Sequence, residues 1–397
     1  MTTAPDIALA VVLPCLNEAA NLRELLPRIT DALRNIPAPC AVYVVDGGST
    51  DDTVATAQAH GAQVIQQRGR GYGGALKTAF EDIDAAYLLT MDADFSHHPV
   101  FIQYLYERRN DAEVIIASRY VSQGHAEMHW TRRLLSTLLN AVFRRVLAVD
   151  VRDLSSGFRL YRRSAVARLQ LEYETYAVLQ EILVKAYCQG YKVMEEPFHY
   201  LPRRHGTTHA RLVAFGLAYL RALYRLWLLR NSPHAADHET RAFRSNNPLR
   251  RLRHRRRYRS IMQAVGDQQR VLNVDCGASQ TLNAVPQSVG LDPHHHKLRF
   301  MRRPARLLVN AQAAAMPFAD DTFEVIILSQ GLGTPQQADG VLRETARCLR
   351  DDGLLLVSTT TARNTLRQQL DTQGFHIIEA ERILGAEIMV QARRHKA

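Results

Sequence analysis

Two aspartates one residue apart, Asp92 and Asp94, close an apolar run in LLTMDADFSHHP, residues 88–99. Buried charge is costly unless something pairs with it. In extended backbone, residues i and i+2 point the same way, so both carboxylates can face one divalent cation whose charge is shared with a bound diphosphate. Hard oxygen ligands favour Mg2+ or Mn2+. A third acid, Asp46, ends the apolar run CAVYVVD ahead of GGSTDDT, and Asn17 and Glu18 follow the run IALAVVLPC. Asp46 can accept hydrogen bonds from a base or ribose, or GGSTDD can be only a capped strand–helix turn. His97 and His98 either support the cation's ligands or sit on an exposed loop.

The elements that must position these groups are legible as alternation. IALAVVLP, a helix-like NLRELLPRITDALRNI, CAVYVVD, TDDTVATAQAHG and AQVIQQ follow one another, and the rhythm runs on through AYLLTMD and AEVIIASRY. Strands buried on both faces become continuously apolar, which predicts a parallel sheet covered by helices. In such sheets ligands collect at the carboxyl ends of strands, and the acids named above all stand there. Residues 231–259 break the rhythm with Asn, Ser, Pro, His and Arg, and a second series then begins at QQRVLNVDCG. The expected fold class is therefore α/β twice over: a Rossmann-like domain at 1–230, a basic linker at 231–258 and a second Rossmann-like domain at 259–397.

Bulk properties agree. A chain of 397 residues exceeds one ordinary core, and a net charge of +11 favours anionic partners such as nucleotides, lipid phosphates, membrane surfaces or nucleic acid. The five cysteines are scattered without a CxxC pair, which argues against a disulfide framework or zinc site and for a reducing cytoplasm. The apolar part of the N-terminus is too short for a signal peptide or span, and no window offers about twenty apolar residues. The expectation is a cytoplasmic protein, soluble or attached peripherally at the inner face of a membrane.

The segments VVLPCLNEAANL, VVDGGSTDDT, GRGYGGALKTAF, MDADFSHHP, ASRY, RDLSSGFRLYRR and RRHGTTH occur in this order. They resemble inverting, GT-A-fold family 2 glycosyltransferases, most of all the dolichol-phosphate mannose synthase branch, over roughly residues 7–228. The resemblance implies that Pro14, Asn17, Glu18 and Asp46 line a nucleotide pocket and that Asp92 and Asp94 hold the metal and the sugar-nucleotide diphosphate. It implies that Arg119, Arg132, Ser136 and Arg203 grip the acceptor or donor phosphate. Ser96 stands where many relatives carry a glutamine, and Thr208 and His209 replace the end of an RxxGxSK pattern. A lipid monophosphate is already anionic and needs little base assistance; Asp94, Glu181 and His209 are the candidates for one. Arg159 either closes on the diphosphate or ties its loop to Asp153. The stretch RLVAFGLAYLRALYRLWLLR, residues 211–230, mixes aromatic, leucine and arginine residues without an acid. Such a helix suits a membrane interface, or packs on its own domain.

From Val271, the order VLNVDCGAS, VGLDP, AAAMPFADDTFEVIILSQGL and VLRETARCLRDDGLLLVST resembles class I S-adenosylmethionine-dependent methyltransferases over about residues 260–393. The resemblance implies that Asp292 holds the cofactor ribose. Asn273, Asp275, Ser279 and Gln312 depart from the pattern, which leaves S-adenosylmethionine binding in doubt and keeps two readings open: a reduced domain for interaction or stability, or a working methyltransferase with unusual ligands. His294, His295 and His296 read as a solvated loop. The run LRRLRHRRRYR, residues 249–259, attracts phosphates but carries no nucleic-acid recognition motif, so nucleic acid is not the expected partner.

The expected function is transfer of a hexose, with inversion, from a nucleoside-diphosphate sugar to a polyprenyl or dolichyl phosphate or related membrane acceptor. A soluble or protein-linked acceptor is the alternative within enzymes, and a membrane-associated adaptor the alternative outside them. These motifs leave the sugar, the nucleobase and the oligomeric state unspecified.

Overall fold

The computed structural model describes residues 6–127, 130–201, 212–328, 332 and 335–395, with the side chains of 132, 212–218, 335 and 336 outside the description. The chain forms two compact units, Met1–Ser232 and Pro233–Ala397.

In the first unit the strands are β1 (Ile7–Cys15), β2 (Cys40–Asp46), β3 (Gln63–Gln66), β4 (Ala85–Thr90), β5 (Val114–Ser118), β6 (His125–Ala126), β7 (Arg159–Arg162), β8 (Val193–Pro197) and β9 (His199–Tyr200). The helices are α1 (Ala19–Arg34), α2 (Thr53–Ala59), α3 (Gly71–Asp82), α4 (Phe101–Glu107), α5 (Trp130–Leu147), α6 (Arg163–Val166), α7 (Val178–Cys188) and α8 (Leu212–Asn231). Seven strands pair in the order β3-β2-β1-β4-β7-β5-β8. Leu9, Val11 and Leu13 face one side of β1 and Ala10 and Val12 the other, all fully buried, which is why this strand reads as an unbroken apolar run. Helix α1 covers the sheet with Leu22, Leu25, Leu26 and Ile29, spaced as one helical face requires.

The sheet is mixed rather than wholly parallel. Strand β7 runs antiparallel to both β4 and β5. Composition carries no strand direction, and a four-residue strand offers too little pattern to reveal it. Because β4 and β2 flank β1 in parallel register, the strand ends bearing Asn17, Asp46 and Asp92 lie side by side.

The second unit adds α9 (His238–Phe243), α10 (Pro248–Val265), β10 (Val271–Val274), α11 (Thr281–Ala284), β11 (Val289–Leu291), α12 (His295–Met301), β12 (Leu308–Val309), β13 (Phe323–Leu328), α13 (Pro335–Cys348), β14 (Leu349–Thr359), α14 (Arg363–Thr372), β15 (Phe375–Leu384) and β16 (Glu387–Arg394). Its sheet order is β12-β11-β10-β13-β14-β16-β15, with β16 antiparallel to its two neighbours. The stretch read as a basic linker, 231–258, is helical for much of its length. Asn247 caps α10 by accepting from the Leu249 and Arg250 N–H groups, Pro248 opens the helix, and Ile261 and Val265 bury its far end. Its arginines obscured this, because the apolar contacts fall only in the last two turns.

Helices α5 and α8 are joined by a buried cation. Arg230 of α8 donates from Nε to the Leu147 carbonyl at 3.1 Å and from Nη2 to the Ala148 carbonyl at 3.3 Å, satisfying the open carbonyl end of α5. Its guanidinium also lies 5.2 Å from the centroid of the Tyr187 ring. Arg230→Met keeps the length and loses these charge-assisted bonds, so thermal unfolding of the variant should show a loss of about 1.5–3 kcal/mol.

Candidate functional site

Three loops meet at the carboxyl edge of β1, β2 and β4, and side chains cross-link the first two. Asn17, at a positive φ of 58°, accepts the Thr50 N–H at 2.8 Å and donates its own N–H to Ser49 Oγ at 2.9 Å. The Glu18 N–H donates to Thr53 Oγ1 at 2.8 Å, and the Glu18 carboxylate accepts from Asn21 at 2.6 Å. Asp46 is buried and accepts from the Gly48 and Ser49 N–H groups. The polar residues expected to line a nucleotide pocket therefore bond the ends of β1 and β2 to each other. Pro14 pairs with Val45 one step below them. Burial first, and then the charges of Glu18, Asp46, Asp51 and Asp92, push the Cys15 thiol well above its ordinary range, a direct reading of the negative field where these strands end.

Asp92 and Asp94 sit in the turn after β4. The Asp92 N–H donates to His97 Nδ1 at 2.9 Å, and His97 is buried with its ring stacked on Phe158 at 4.8 Å. His97 thus fixes the turn, and His98 is exposed. Asp94 is buried, with Oδ1 accepting from the Ser96 hydroxyl at 2.5 Å and the Ser96 N–H at 3.1 Å. Ser96, at the position where many relatives carry a glutamine, therefore orients Asp94.

The opposite wall is the loop carrying DLSSGF. A Cβ built on Gly157 would sit 2.6 Å from the Tyr72 hydroxyl and 3.2 Å from Asp92 Oδ1, so only glycine lets this backbone approach the carboxylate. The Tyr72 hydroxyl is buried and has no hydrogen-bond partner among the described residues. Its ring stacks on Tyr176 at 4.7 Å. Burial and then the Asp92 charge push this phenol well up, so it is a donor at any ordinary pH. Tyr72 has no assigned role in the sequence reading; the only signal was an aromatic residue set among the glycines of GRGYGG.

Oxygen-only donors, a glycine cradle that a side chain would fill and an orphaned hydroxyl beside Asp92 fit a small hard cation with its anionic ligand. Among the described residues no group of three His, Cys, Asp or Glu side chains could hold a metal ion. A cation here would complete its shell with ligand oxygens.

The residues expected to grip phosphate divide. Arg119 is spent on Asp153, with Nε to Oδ2 and Nη2 to Oδ1 both at 2.7 Å, and its Nη2 also reaches Ser155. Burial would raise the Asp153 carboxyl, but the guanidinium outweighs it and holds that carboxyl below the usual range. Arg119 is thus a wall support in this arrangement. Ser136 accepts from the Tyr120 hydroxyl at 2.9 Å, one residue along from Arg119. The side chain of Arg132, and all of Arg203, Thr208 and His209, lie outside the described residues. Arg159 is fully buried and donates to the carbonyls of Leu179 and Leu154, so it holds the loop next to Asp153 through backbone. Glu181 accepts from the Glu172 and Tyr173 N–H groups and from Lys185, which makes it a loop anchor.

In the second unit Asp292 is buried at the end of β11. Its carboxylate accepts from the Gly277 N–H and the His294 N–H, both at 2.8 Å. Asp275 takes a positive φ of 48° at an expected glycine position, and burial, then Asp292, raises its carboxyl. Asn273 donates to Ser279 at 3.2 Å. Two of the residues that depart from the methyltransferase pattern, Asn273 and Ser279, thus bond to each other, and Ser279 accepts the Thr281 N–H. His295 and His296 begin α12 rather than a loop, and His296 Nε2 lies 2.8 Å from the His234 carbonyl.

Residues 10–170 match the glycosyl transferase family 2 domain and residues 272–357 a methyltransferase domain. The chain is 33% identical over 227 residues to a dolichol-phosphate mannosyltransferase of Pyrococcus furiosus, covering 55% of this chain and 63% of the relative, so it spans less than two thirds of that protein. It is 29% identical over 222 residues to the polyprenol monophosphomannose synthase of Mycolicibacterium smegmatis, covering 52% and 82%. With an uncharacterized glycosyltransferase of Mycobacterium tuberculosis it shares 31% identity over 199 residues, 50% of this chain and 88% of the relative. Among solved structures, the glucosyl-3-phosphoglycerate synthase of M. tuberculosis with Mn2+, UDP and phosphoglyceric acid is 20% identical, with a TM-score of 0.46 over 58% of this chain and 81% of that one. By its domain match and its identity across most of the mycobacterial relative's length, the chain belongs to glycosyltransferase family 2, with a methyltransferase-type domain following the transferase domain.

Proposed function

We propose that the first domain transfers a hexose, with inversion, from a nucleoside-diphosphate sugar to the phosphate of a polyprenyl or dolichyl carrier. The observation that carries this reading is the pair Asp92 and Asp94 at the carboxyl edge of the sheet, faced by the Gly157 backbone and the Tyr72 hydroxyl. The names of the archaeal and mycobacterial relatives support the acceptor class.

In this reading Asp92 and Asp94 hold Mg2+ or Mn2+ together with the donor diphosphate. When bound, the cation supplies the positive charge that offsets the leaving diphosphate. Asp94 is kept in place by Ser96, and Asp92 by the turn that His97 fixes. Asn17, Glu18 and Asp46 shape the nucleotide pocket beside them, and Tyr72 donates its hydrogen bond to a diphosphate or sugar oxygen. An acceptor phosphate oxygen attacks the anomeric carbon from the face opposite the diphosphate; the new C–O bond forms as the bond to the diphosphate oxygen breaks. The nucleophile arrives already ionised, so the site needs positioning more than a base. Arg132, Ser136 and Arg203 are the proposed grips on that phosphate.

The acceptor would arrive along a membrane. Among the described residues no helix is long and apolar enough to cross one. Helix α5 exposes Leu134, Leu138, Val142 and Val146 at four-residue intervals, beside Leu135 and Leu139, and α8 exposes Leu220, Tyr224 and Trp227. An apolar stripe next to Arg133, Arg144, Arg145, Arg221 and Arg225 suits an interfacial helix pair. The reading is of a cytoplasmic protein held peripherally at the inner face of a membrane.

Three outcomes follow. Asp92→Asn and Asp94→Asn variants should keep their fold and lose transfer from labelled sugar nucleotide to lipid extract by at least about a hundredfold; full activity in either removes the metal assignment. Tyr72→Phe should leave ligand-free stability within about 0.5 kcal/mol, since the lost hydroxyl satisfied no partner, and weaken donor binding by about fivefold in titration. Leu138→Glu with Val142→Glu should reduce sedimentation with anionic vesicles while hydrolysis of the soluble donor is unchanged. Transfer to a soluble acceptor with no response to vesicles would favour the alternative acceptor class.

A further inference from the structure

Within the second unit, a cavity of about 250 Å³ opens beside Gly277 and Ala278, the loop that follows β10. This is the carboxyl edge of the sheet, where the strand order turns from β10 to β11 on one side and β13 on the other. Arg250, Arg253, His254 and Arg257 of α10 line it, at spacings of three, four and seven residues that put them on one helical face. Lys297 of α12 lines it as well.

Neutral imidazoles orient two of the arginines, and Arg253 and Arg257 share one carboxylate, Glu387. Arg250 Nη2 lies 2.8 Å from His238 Nε2, and Arg257 Nη2 lies 3.1 Å from His254 Nδ1. Burial first, and then the neighbouring guanidinium charges, lower His238 to about 4 and His254 to about 3. Both imidazoles are therefore neutral acceptors at physiological pH. Glu387 approaches Arg253 at 3.5 Å and Arg257 at 3.4 Å, and Glu239 lines the cavity. Among the residues that line the cavity, four cations stand against the one carboxylate of Glu239.

S-adenosylmethionine carries a sulfonium and an ammonium against one carboxylate and is a net cation at neutral pH. The four cations that line the cavity disfavour that charge. Guanidinium groups converging on a small volume match the oxygens of phosphate esters. We propose that this cavity binds a diphosphate-bearing anion, free or as part of a nucleotide, in place of S-adenosylmethionine.

The test is calorimetric titration of the full chain in EDTA with inorganic pyrophosphate, adenosine diphosphate and S-adenosylmethionine separately. EDTA removes the divalent cation on which diphosphate binding at Asp92 and Asp94 would depend. Pyrophosphate should bind once per chain, Arg250→Gln with Lys297→Gln should weaken it roughly tenfold or more, and Asp92→Asn should leave it unchanged. Tighter binding of adenosine diphosphate would support a nucleotide as the ligand, and equal binding a site that reads the diphosphate alone. Arg253→Gln, at a half-exposed position, is the fallback if the double variant fails to fold. Absence of pyrophosphate binding, binding that survives these variants, or displacement of pyrophosphate by S-adenosylmethionine would overturn the proposal.

Discussion

The charge pair between Arg119 and Asp153 organises the wall of the transferase site. Asp153 sits where loop 153–157 begins and accepts from the Ser155 and Ser156 N–H groups as well as from Arg119. Ser156 then bonds the Ala117 carbonyl, and Thr90 donates to the Gly157 carbonyl at 2.7 Å. Each contact carries the loop one residue closer to Asp92. A fully buried carboxylate is tolerated only because a bidentate guanidinium and several N–H groups surround it. Arg159 performs the same service from inside by donating to the carbonyl of Leu154. The motif DLSSGF is thus a device for delivering a bare backbone to the edge that carries Asp92.

Much of this edge was legible in the sequence, because strands buried on both faces announce themselves and polar residues at their ends stand out. Asp46, Asp92, Asp94, Asn17 and Glu18 needed no partner from far along the chain to be noticed. What escaped was pairing. Arg119 and Asp153 are 34 residues apart, and nothing local says that an arginine expected to hold a ligand will hold a carboxylate. Direction escaped too, as in the antiparallel β7. The apolar face of α5 was missed for another reason: TRRLLSTLLNAVFRRVL has the period of an ordinary packed helix, and only the fold reveals which side stays uncovered. In the second unit, Asp292 was found by position, but its commitment to Gly277 and His294 depends on the loop's path.

The two domains use one architectural position with opposite charge. At the first sheet's carboxyl edge stand carboxylates, which suit a cation and through it an anion. At the second, guanidinium and ammonium groups line a cavity beside Asp275 and Asp292, and these cations suit an anion directly. A side chain at a glycine position and a helix laden with arginine distinguish the second edge from a cofactor pocket of the usual kind. Shared topology fixes where a ligand sits, and the residues at that place decide its sign.

Helix α5 has two working surfaces about 10 Å apart, the width of a helix. Its outward side carries the leucine stripe. On its inward side Asn140 accepts the Leu154 N–H at 3.0 Å and donates to Ser155 Oγ at 3.3 Å, touching the loop that ends at Gly157. Arg230 holds its far end through the carbonyls of Leu147 and Ala148. One helix therefore carries the exposed leucines on one side and, through Asn140, braces on the other the loop whose Gly157 backbone lies against Asp92.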